Sequence, residues 1–326
     1  MTSDVEPRPP LPVIWIRLMK LRVIVLLQIT AICAVLVHDL LDRKGVIDGG
    51  GRTWLDTLET SFWVFLGGTL SAGGSNSINM WFDHDIDAGM RRTNTRPVPM
   101  GWISRMHALV FGITIAILGT FVLWQVHWKA GFWTGFSVLF YVLIYTIWLK
   151  RRSPYNIVIG GIAGATPPLI AWAAAASTTL SGSNPLDLGS PVPWMLFLLI
   201  FLWTPPHFWA LALYRHGEYG KVGVPMMPDA KGPYRTLLES KIYCVLLILL
   251  AAIPIIWSGY GIGWPLSVVV AGLGIWYAAT VWAIDPDEVL DENQRMPKAF
   301  HSFMASLKYL ALMFLGVVIV AAQPWL

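Results

Sequence analysis

Nine stretches of the chain are apolar for long enough to cross a bilayer as helices: about 21–38, 60–76, 106–126, 131–149, 157–177, 192–213, 242–259, 264–284 and 304–322. Polar residues fall between them in short connections, with no tandem repeat, low-complexity segment or linker long enough to separate soluble domains. The first stretch follows a Pro-rich charged segment, is too long for a signal-peptide core and ends in Val37-His38-Asp39 without a small-residue cleavage pattern, so it reads as a permanent span. The pattern predicts an all-α, polytopic membrane helix bundle, with residues 1–20 as a cytoplasmic N-terminal segment and 21–326 as a single nine-helix transmembrane domain.

Composition narrows the function classes. Of the residues, 56% are hydrophobic and 13% charged, against roughly 25% charged in soluble proteins. A soluble enzyme, a disordered tail and a secreted disulfide scaffold are excluded. Cys33 and Cys244 lie in apolar runs and read as packing residues. The net charge of +4 would suggest nucleic acid in a soluble domain, but here basic residues report orientation in the lipid bilayer, and no nucleic-acid partner is expected. Nineteen of the 23 Lys and Arg fall at the N-terminus and in alternate connections; Arg43, Lys44, Arg52 and Lys129 are on the other side. The expectation is a multi-pass protein of the cell inner membrane, N-terminus cytoplasmic and C-terminus outside.

Candidate chemistry begins at the cytoplasmic end of the second span. Asn79, Asp83 and Asp87 recur every four residues, drifting only ~40° per step on a helix, and form a polar stripe about 12 Å long that Asn76 extends by a turn. Asp85 points away from it. Carboxylates clustered at a membrane edge need a cation or a basic partner. Mg²⁺ suits oxygen ligands and joins carboxylates to substrate phosphates. Arg91, Arg92 and Arg96 follow directly and are suited to forked bonds with phosphate oxygens. The plainer reading is a structural network of acid and base. Against it, two distant connections bring Lys150-Arg151-Arg152 and Arg215-His216-Gly217-Glu218-Tyr219-Gly220-Lys221 to the same face. The glycines at 67–68, 73–74, 160–161 and 164 are expected to let helices approach closely.

Three motif groups over about residues 20–230 resemble the UbiA superfamily of intramembrane prenyltransferases, and within it the heme-farnesylating branch. They are Asn79-Met80-Trp81-Phe82-Asp83 through Asp87 to Arg92-Thr93-Asn94-Thr95-Arg96-Pro97; Lys150 to Gly161 with Pro167-Pro168; and Trp203-Thr204-Pro205-Pro206-His207-Phe208-Trp209 continuing to Gly223-Val224-Pro225-Met226-Met227-Pro228. The resemblance implies nine helices around a central cavity. It also implies Mg²⁺-dependent transfer of farnesyl from farnesyl diphosphate to a vinyl group of heme b, with addition of water. A heme A synthase would then take the product. The second Asp-rich motif of the wider superfamily is absent, with Glu218 the acid in its place, which favours the heme branch over a quinone or other aromatic acceptor.

On this resemblance Asn79, Asp83 and Asp87 hold the metal, and Arg92, Arg96, Lys150, Arg151 and Lys221 hold the diphosphate. Trp81, Phe82, Trp203, Trp209, Arg215, Glu218 and Tyr219 are candidates for the heme and prenyl pocket, each weighed against ordinary packing. His207, beside Pro205-Pro206 where a broken helix is expected, is open to four roles: iron ligand, propionate partner, general base for water, or structural group. His38 and His127 belong to the other face. A transporter or heme carrier is the rival class, and charge gathered at one face rather than at the bilayer midplane argues against it.

Overall fold

The computed structural model describes residues 7–323 except 91, 216, 261–262, 289 and 292–294. Arg91 and His216 therefore lie outside the described residues. The chain runs α1 Leu11–Met19, α2 Leu21–Arg43, α3 Trp54–Phe82, α4 His84–Gly89, α5 Arg105–Val126, α6 Trp128–Leu139, α7 Asn156–Ala165, α8 Pro167–Ala175, α9 Val192–Tyr214, α10 Met227–Leu249, α11 Ala252–Ile256, α12 Trp264–Trp282 and α13 Pro297–Ala322. There is no strand among the described residues. Helix α6 continues as a π-helix through Phe140–Leu149, α7 with α8 makes one span, and α10 with α11 another.

Eight of these spans are long and apolar enough to cross a membrane. The remaining long helix, α3, has 29 residues but carries Ser71, Ser75, Asn76, Ser77 and Asn79 among the buried positions of its inner half. The nine expected stretches thus each have a helix, and the one that carries the chemistry is the least lipophilic. Three helices begin well before their apolar stretches, α13 among them at Pro297, seven residues ahead. Helix α10 begins at Met227, fifteen residues before the hydropathy signal, and bends at Gly232, whose φ of 81° favours glycine. Helix α3 begins six residues early, where Thr53 and Asp56 form a reciprocal capping box.

Close packing sets α3 against α5. A Cβ on Gly74 would meet Gly112 O at 2.5 Å, and one on Gly119 would meet Ser71 N at 2.4 Å, so the two backbones touch. Gly67, Gly68, Gly73, Gly160 and Gly161 also abut neighbours, as expected, whereas Gly164 has nothing within 4 Å. The main apolar cluster joins α2, α8, α9, α12 and α13 around Trp172, Leu199, Tyr309 and Phe314; Cys244 is buried in it, Cys33 packs against it, and both are unpaired.

The two ends of the bundle differ. At one end the α2–α3 turn and the α8–α9 connection meet, Thr178 Oγ1 donating to Gly49 O at 3.4 Å. There the fully buried Lys129 ammonium donates to the carbonyls of Ser181 and Asp187 at 3.1 and 2.7 Å. At the same end, Asp39 accepts from Arg52 Nε and Thr57 Oγ1, each at 2.7 Å, and lies 2.7 Å from His38 Nδ1. His38 and His127 belong to this end, with Asp42 accepting from the backbone of Gly49 and Arg52. At the opposite end α1 lies across the bundle, seating Ile14 and Leu18 against Met80, Trp102 and Ile103.

Candidate functional site

Helix α3 delivers its polar stripe at the end covered by α1. The helix stops at Phe82, because Asp83 (φ −87°, ψ 12°) leaves helical geometry before α4 restarts. The four-residue ladder nevertheless runs through the break: Asp83 N donates to Asn79 O at 2.9 Å and Asp87 N to Asp83 O at 2.8 Å. The expected spacing therefore survives a bend, and Asn79, Asp83 and Asp87 share one side. Asp83 is 0% and Asp87 2% exposed. Asp85 faces away as expected, its side chain 52% exposed.

Cations converge on the stripe from three other segments. Lys150, at the end of the π-helical turn of α6, donates to Asp83 Oδ2. Arg96, on the loop after α4, places Nη1 2.7 Å from both oxygens of Asp87, while Thr93 Oγ1 on the same loop donates to Asp87 O at 2.9 Å. Lys20, between α1 and α2, donates to Asn79 Oδ1 at 2.7 Å. The Asn79 amide donates in turn to Asp83 Oδ2 at 2.7 Å and Thr146 Oγ1 at 3.2 Å. Burial, then the charge of Arg96, pushes the Lys20 ammonium well below its usual pKa, against the pull of Asp87. Arg151 forks onto Asp85 at 2.7 and 2.8 Å and holds that carboxyl down at about 2.

The donor set fits a hard divalent cation. Asp83 Oδ1 is buried and accepts no hydrogen bond, with Arg151 Nη2 3.7 Å away. An acceptor in that condition costs free energy unless something positive reaches it. Among the described residues no three His, Cys, Asp or Glu side chains converge as a ready cage. Two carboxylates and an amide are what Mg²⁺ uses when substrate phosphates and waters complete its shell.

The other sequence candidates divide. Arg92 and Lys221 are exposed, Arg92 within electrostatic reach of Tyr145 and Lys221 on the turn 220–222. A cleft of about 230 Å³ opens between Asp85, Ile86, Arg151, Val222 and Gly223, beside the turn that holds Lys221. Tyr219 packs with Ile86, Tyr145 and Val224 in a small apolar cluster. Trp81 and Phe82 are half-buried, with Arg151 4.8 Å above the Phe82 ring. Glu218 is engaged by Arg215 at 3.3 Å and Arg295 at 4.0 Å.

Helix α9 departs from expectation. It runs unbroken through Pro205-Pro206, because α7, α10 and α13 pack against it although the two prolines leave carbonyls one turn back without donors. Trp203 and Trp209 are packed in helix contacts: Trp203 Nε1 donates to Ser306 O at 2.9 Å on α13, and Trp209 meets Tyr243 of α10 edge-on at 5.8 Å. His207 is stacked between Trp203 (4.2 Å) and Phe303 (4.9 Å), with Nδ1 2.6 Å from Ser306 Oγ.

Sequence reasoning missed Lys20, Tyr141, Tyr145, Thr146 and Asp229. Tyr141 OH donates to Asn76 Oδ1 at 3.4 Å, and the Tyr145 ring lies against Gly160. Asp229 corrects the view of Glu218 as the sole acid of this region, since its Oδ1 accepts from Gly217 N at 3.0 Å. The signal that could have found Thr146 and Tyr145 is a run of hydroxyls on an otherwise apolar span. Lys20 has no such signal, because basic residues there are expected on topology alone.

The sequence pattern of the UbiA prenyltransferase family matches residues 49–322. A relative from Hyphomonas neptunium named protoheme IX farnesyltransferase is 38% identical over 319 residues, 96% of this chain and 92% of that one. Among solved structures, one of a digeranylgeranylglyceryl phosphate synthase superimposes with a TM-score of 0.69 at 19% identity, over 95% of this chain and 98% of the other. A UbiA homolog from Archaeoglobus fulgidus, bound to DMAPP and Mg²⁺, follows at 0.61 and 16%, over 93% and 98%. At such identities these structures speak for the fold.

Proposed function

Because this chain belongs to the UbiA prenyltransferase family, we propose that it transfers the farnesyl group of farnesyl diphosphate to a vinyl group of heme b, giving heme O. The C1–O bond of the diphosphate breaks and a vinyl carbon bonds to C1. A water oxygen then adds to the carbon left cationic, losing a proton, and diphosphate departs. The relative's name supplies donor and acceptor. The observation that carries the reading onto this chain is the buried Asp83–Asp87 pair, with Asp83 Oδ1 unpartnered and Lys20, Arg96 and Lys150 around it.

Asn79, Asp83 and Asp87 would hold Mg²⁺, which supplies Lewis-acid stabilisation of the leaving diphosphate. Arg96 and Lys150 stand at its oxygens, with Arg92, Arg151 and Lys221 at the rim. Fixed charges of this kind act more strongly away from water. Trp81, Phe82 and Tyr145 offer aromatic faces to the cationic farnesyl carbon. Arg215, which pairs with Glu218, and Tyr219 would meet the heme carboxylates. His207, held by Ser306 and two rings, is read as a structural group.

This reading takes residues 21–326 as one membrane domain of the cell inner membrane, with 1–20 as its N-terminal segment. The N-terminus and the site face the cytoplasm, and the C-terminus lies outside. Heme O made there would pass to a heme A synthase. The test is mass analysis of heme after incubation with heme b, farnesyl diphosphate and Mg²⁺, beside Asp83→Asn. A gain of farnesyl plus water, lost in the variant, is expected. Prenylation of a quinone or other aromatic acceptor in place of heme would reject heme as the substrate and keep the fold.

A further inference from the structure

Apart from Arg22, at the very start of its run, Lys308 is the single Lys or Arg inside the nine apolar stretches, and it stands four residues into 304–322. On α13 it is exposed, on the face that also carries Met304, Leu312, Leu315 and Ile319. Among the described residues nothing pairs with it. A charge on the lipid face of a span is costly unless it reaches the interface or meets an anion. The Cα–Cβ bonds of a helix tilt towards its N-terminus, and α13 starts at the end of the bundle that holds the acidic stripe, where Phe300 packs on Tyr214. Four residues of helix are ~6 Å, within the reach of a lysine side chain. The ammonium therefore belongs at the depth where acyl chains give way to head groups.

One turn deeper the same face opens into a shallow apolar groove of about 380 Å³, between Val268, Gly272 and Leu273 of α12 and Leu312, Leu315 and Gly316 of α13. Glycine makes the room. A Cβ on Gly272 would meet nothing within 4 Å, so the space there is not taken up by packing, whereas one on Gly316 would fall 2.7 Å from Val269 Cγ1. From Lys308 to Ile319, which also lines the groove, α13 rises ~16 Å. That is close to half of the ~30 Å hydrocarbon core, the depth of one leaflet. A neighbouring helix would have to bring an acid to the depth of Lys308. A cation at the head of an aliphatic groove one leaflet deep instead complements an amphiphile with a negative head and a long chain.

We propose that the groove between α12 and α13 binds one anionic phospholipid, with its phosphate at Lys308 and one acyl chain over Gly272 and Gly316. A zwitterionic lipid offers the same chain but carries its own cation beside the phosphate. Lys308 therefore favours the anionic head by about fivefold, the worth of one basic side chain at an anionic surface. The lipid braces α13 close to Ser306, whose carbonyl accepts from Trp203 Nε1 and whose hydroxyl meets His207.

The test uses the full-length protein in nanodiscs doped with either phosphatidylglycerol or phosphatidylcholine that carries a diazirine in one chain; after irradiation, peptide mapping locates the label. Label from phosphatidylglycerol is expected on 268–273 and 312–319 about fivefold above that from phosphatidylcholine, with no such preference on the exposed face of α5 at Ile113 and Ile117. Lys308→Met should erase the preference and Lys308→Arg should keep it. Gly272→Leu, which α12 accommodates because the space beside it is open, should fill the groove and cut its label from both lipids while α5 is labelled as before. Equal yields from the two lipids, or a preference that survives Lys308→Met, would overturn the proposal. So would a groove left unlabelled, which would mean that a partner helix covers it.

Discussion

Asp83 and Asp85 stand two residues apart and live in different media. The first is fully buried against Lys150; the second is half exposed and forked by Arg151. The Asp85 carboxyl titrates at about 2 in the folded protein, below its ordinary ~3.9. The stabilisation from this pair is therefore complete above about pH 4 and is lost as pH falls through about 2. In Arg151→Leu the carboxyl should return towards its ordinary value, which an NMR titration of ¹³C-labelled aspartate reads directly; a midpoint that stays near 2 would mean that the fork does not form. The opposed directions of these two acids follow from their spacing and were legible in the sequence. Lys20 was not, because its reach into the site depends on a single left-handed turn that no periodicity encodes.

Helices here are positioned by what they lack. Against Gly119 stand the backbone atoms Ser71 N and Gly67 O, at 2.4 and 2.5 Å from a Cβ placed there, and backbone cannot step aside as a side chain can. Gly119→Ala should force α3 off α5 and destabilise the protein by about 1–3 kcal/mol, read as a lower thermal midpoint in detergent. Gly164→Ala, in open space on α7, should leave the midpoint unchanged or raise it, since alanine favours a helix by up to about 1 kcal/mol. Equal losses in both would remove close approach as the cause. Hydropathy located every long helix but misjudged where α10, α13 and α3 begin, since Asp229, Lys231 and Glu239 on α10, Lys298 on α13 and Asp56 and Glu59 on α3 sit in helix that precedes the apolar run. The proline pair also favoured a break at Pro205-Pro206 that packing on α10 and α13 suppresses.

Across the whole molecule, chemistry and bracing occupy opposite ends. The Asp39–Arg52–His38 network and the buried Lys129 tie the far loops together, a full bundle length from Asp83. Arg52→Met would take the guanidinium from Asp39, which is 0% exposed and keeps only Thr57 and His38, and should cost about 3–5 kcal/mol. Farnesyl diphosphate affinity in the surviving folded fraction should stay at the parent value; thermal unfolding and calorimetry on one preparation measure both, and a matching fall in affinity would show that the two ends are coupled. That Arg43, Lys44, Arg52 and Lys129 gather away from the other basic residues was plain in the sequence, whereas the far-end network was not, because Asp39 and Arg52 meet only when α2 and α3 pair. Helix α3 has a final consequence during synthesis. Its buried serines and asparagines make it the long helix least able to partition into lipid by itself, so the membrane insertion machinery must hold it until neighbours arrive. Asn76, Ser77 and Asn79 gain partners from α1, α5 and the π-helical turn, and the last two of these are translated after it. The segment that carries the reaction thus enters the bilayer as one of a group, and the order of translation helps to build the site.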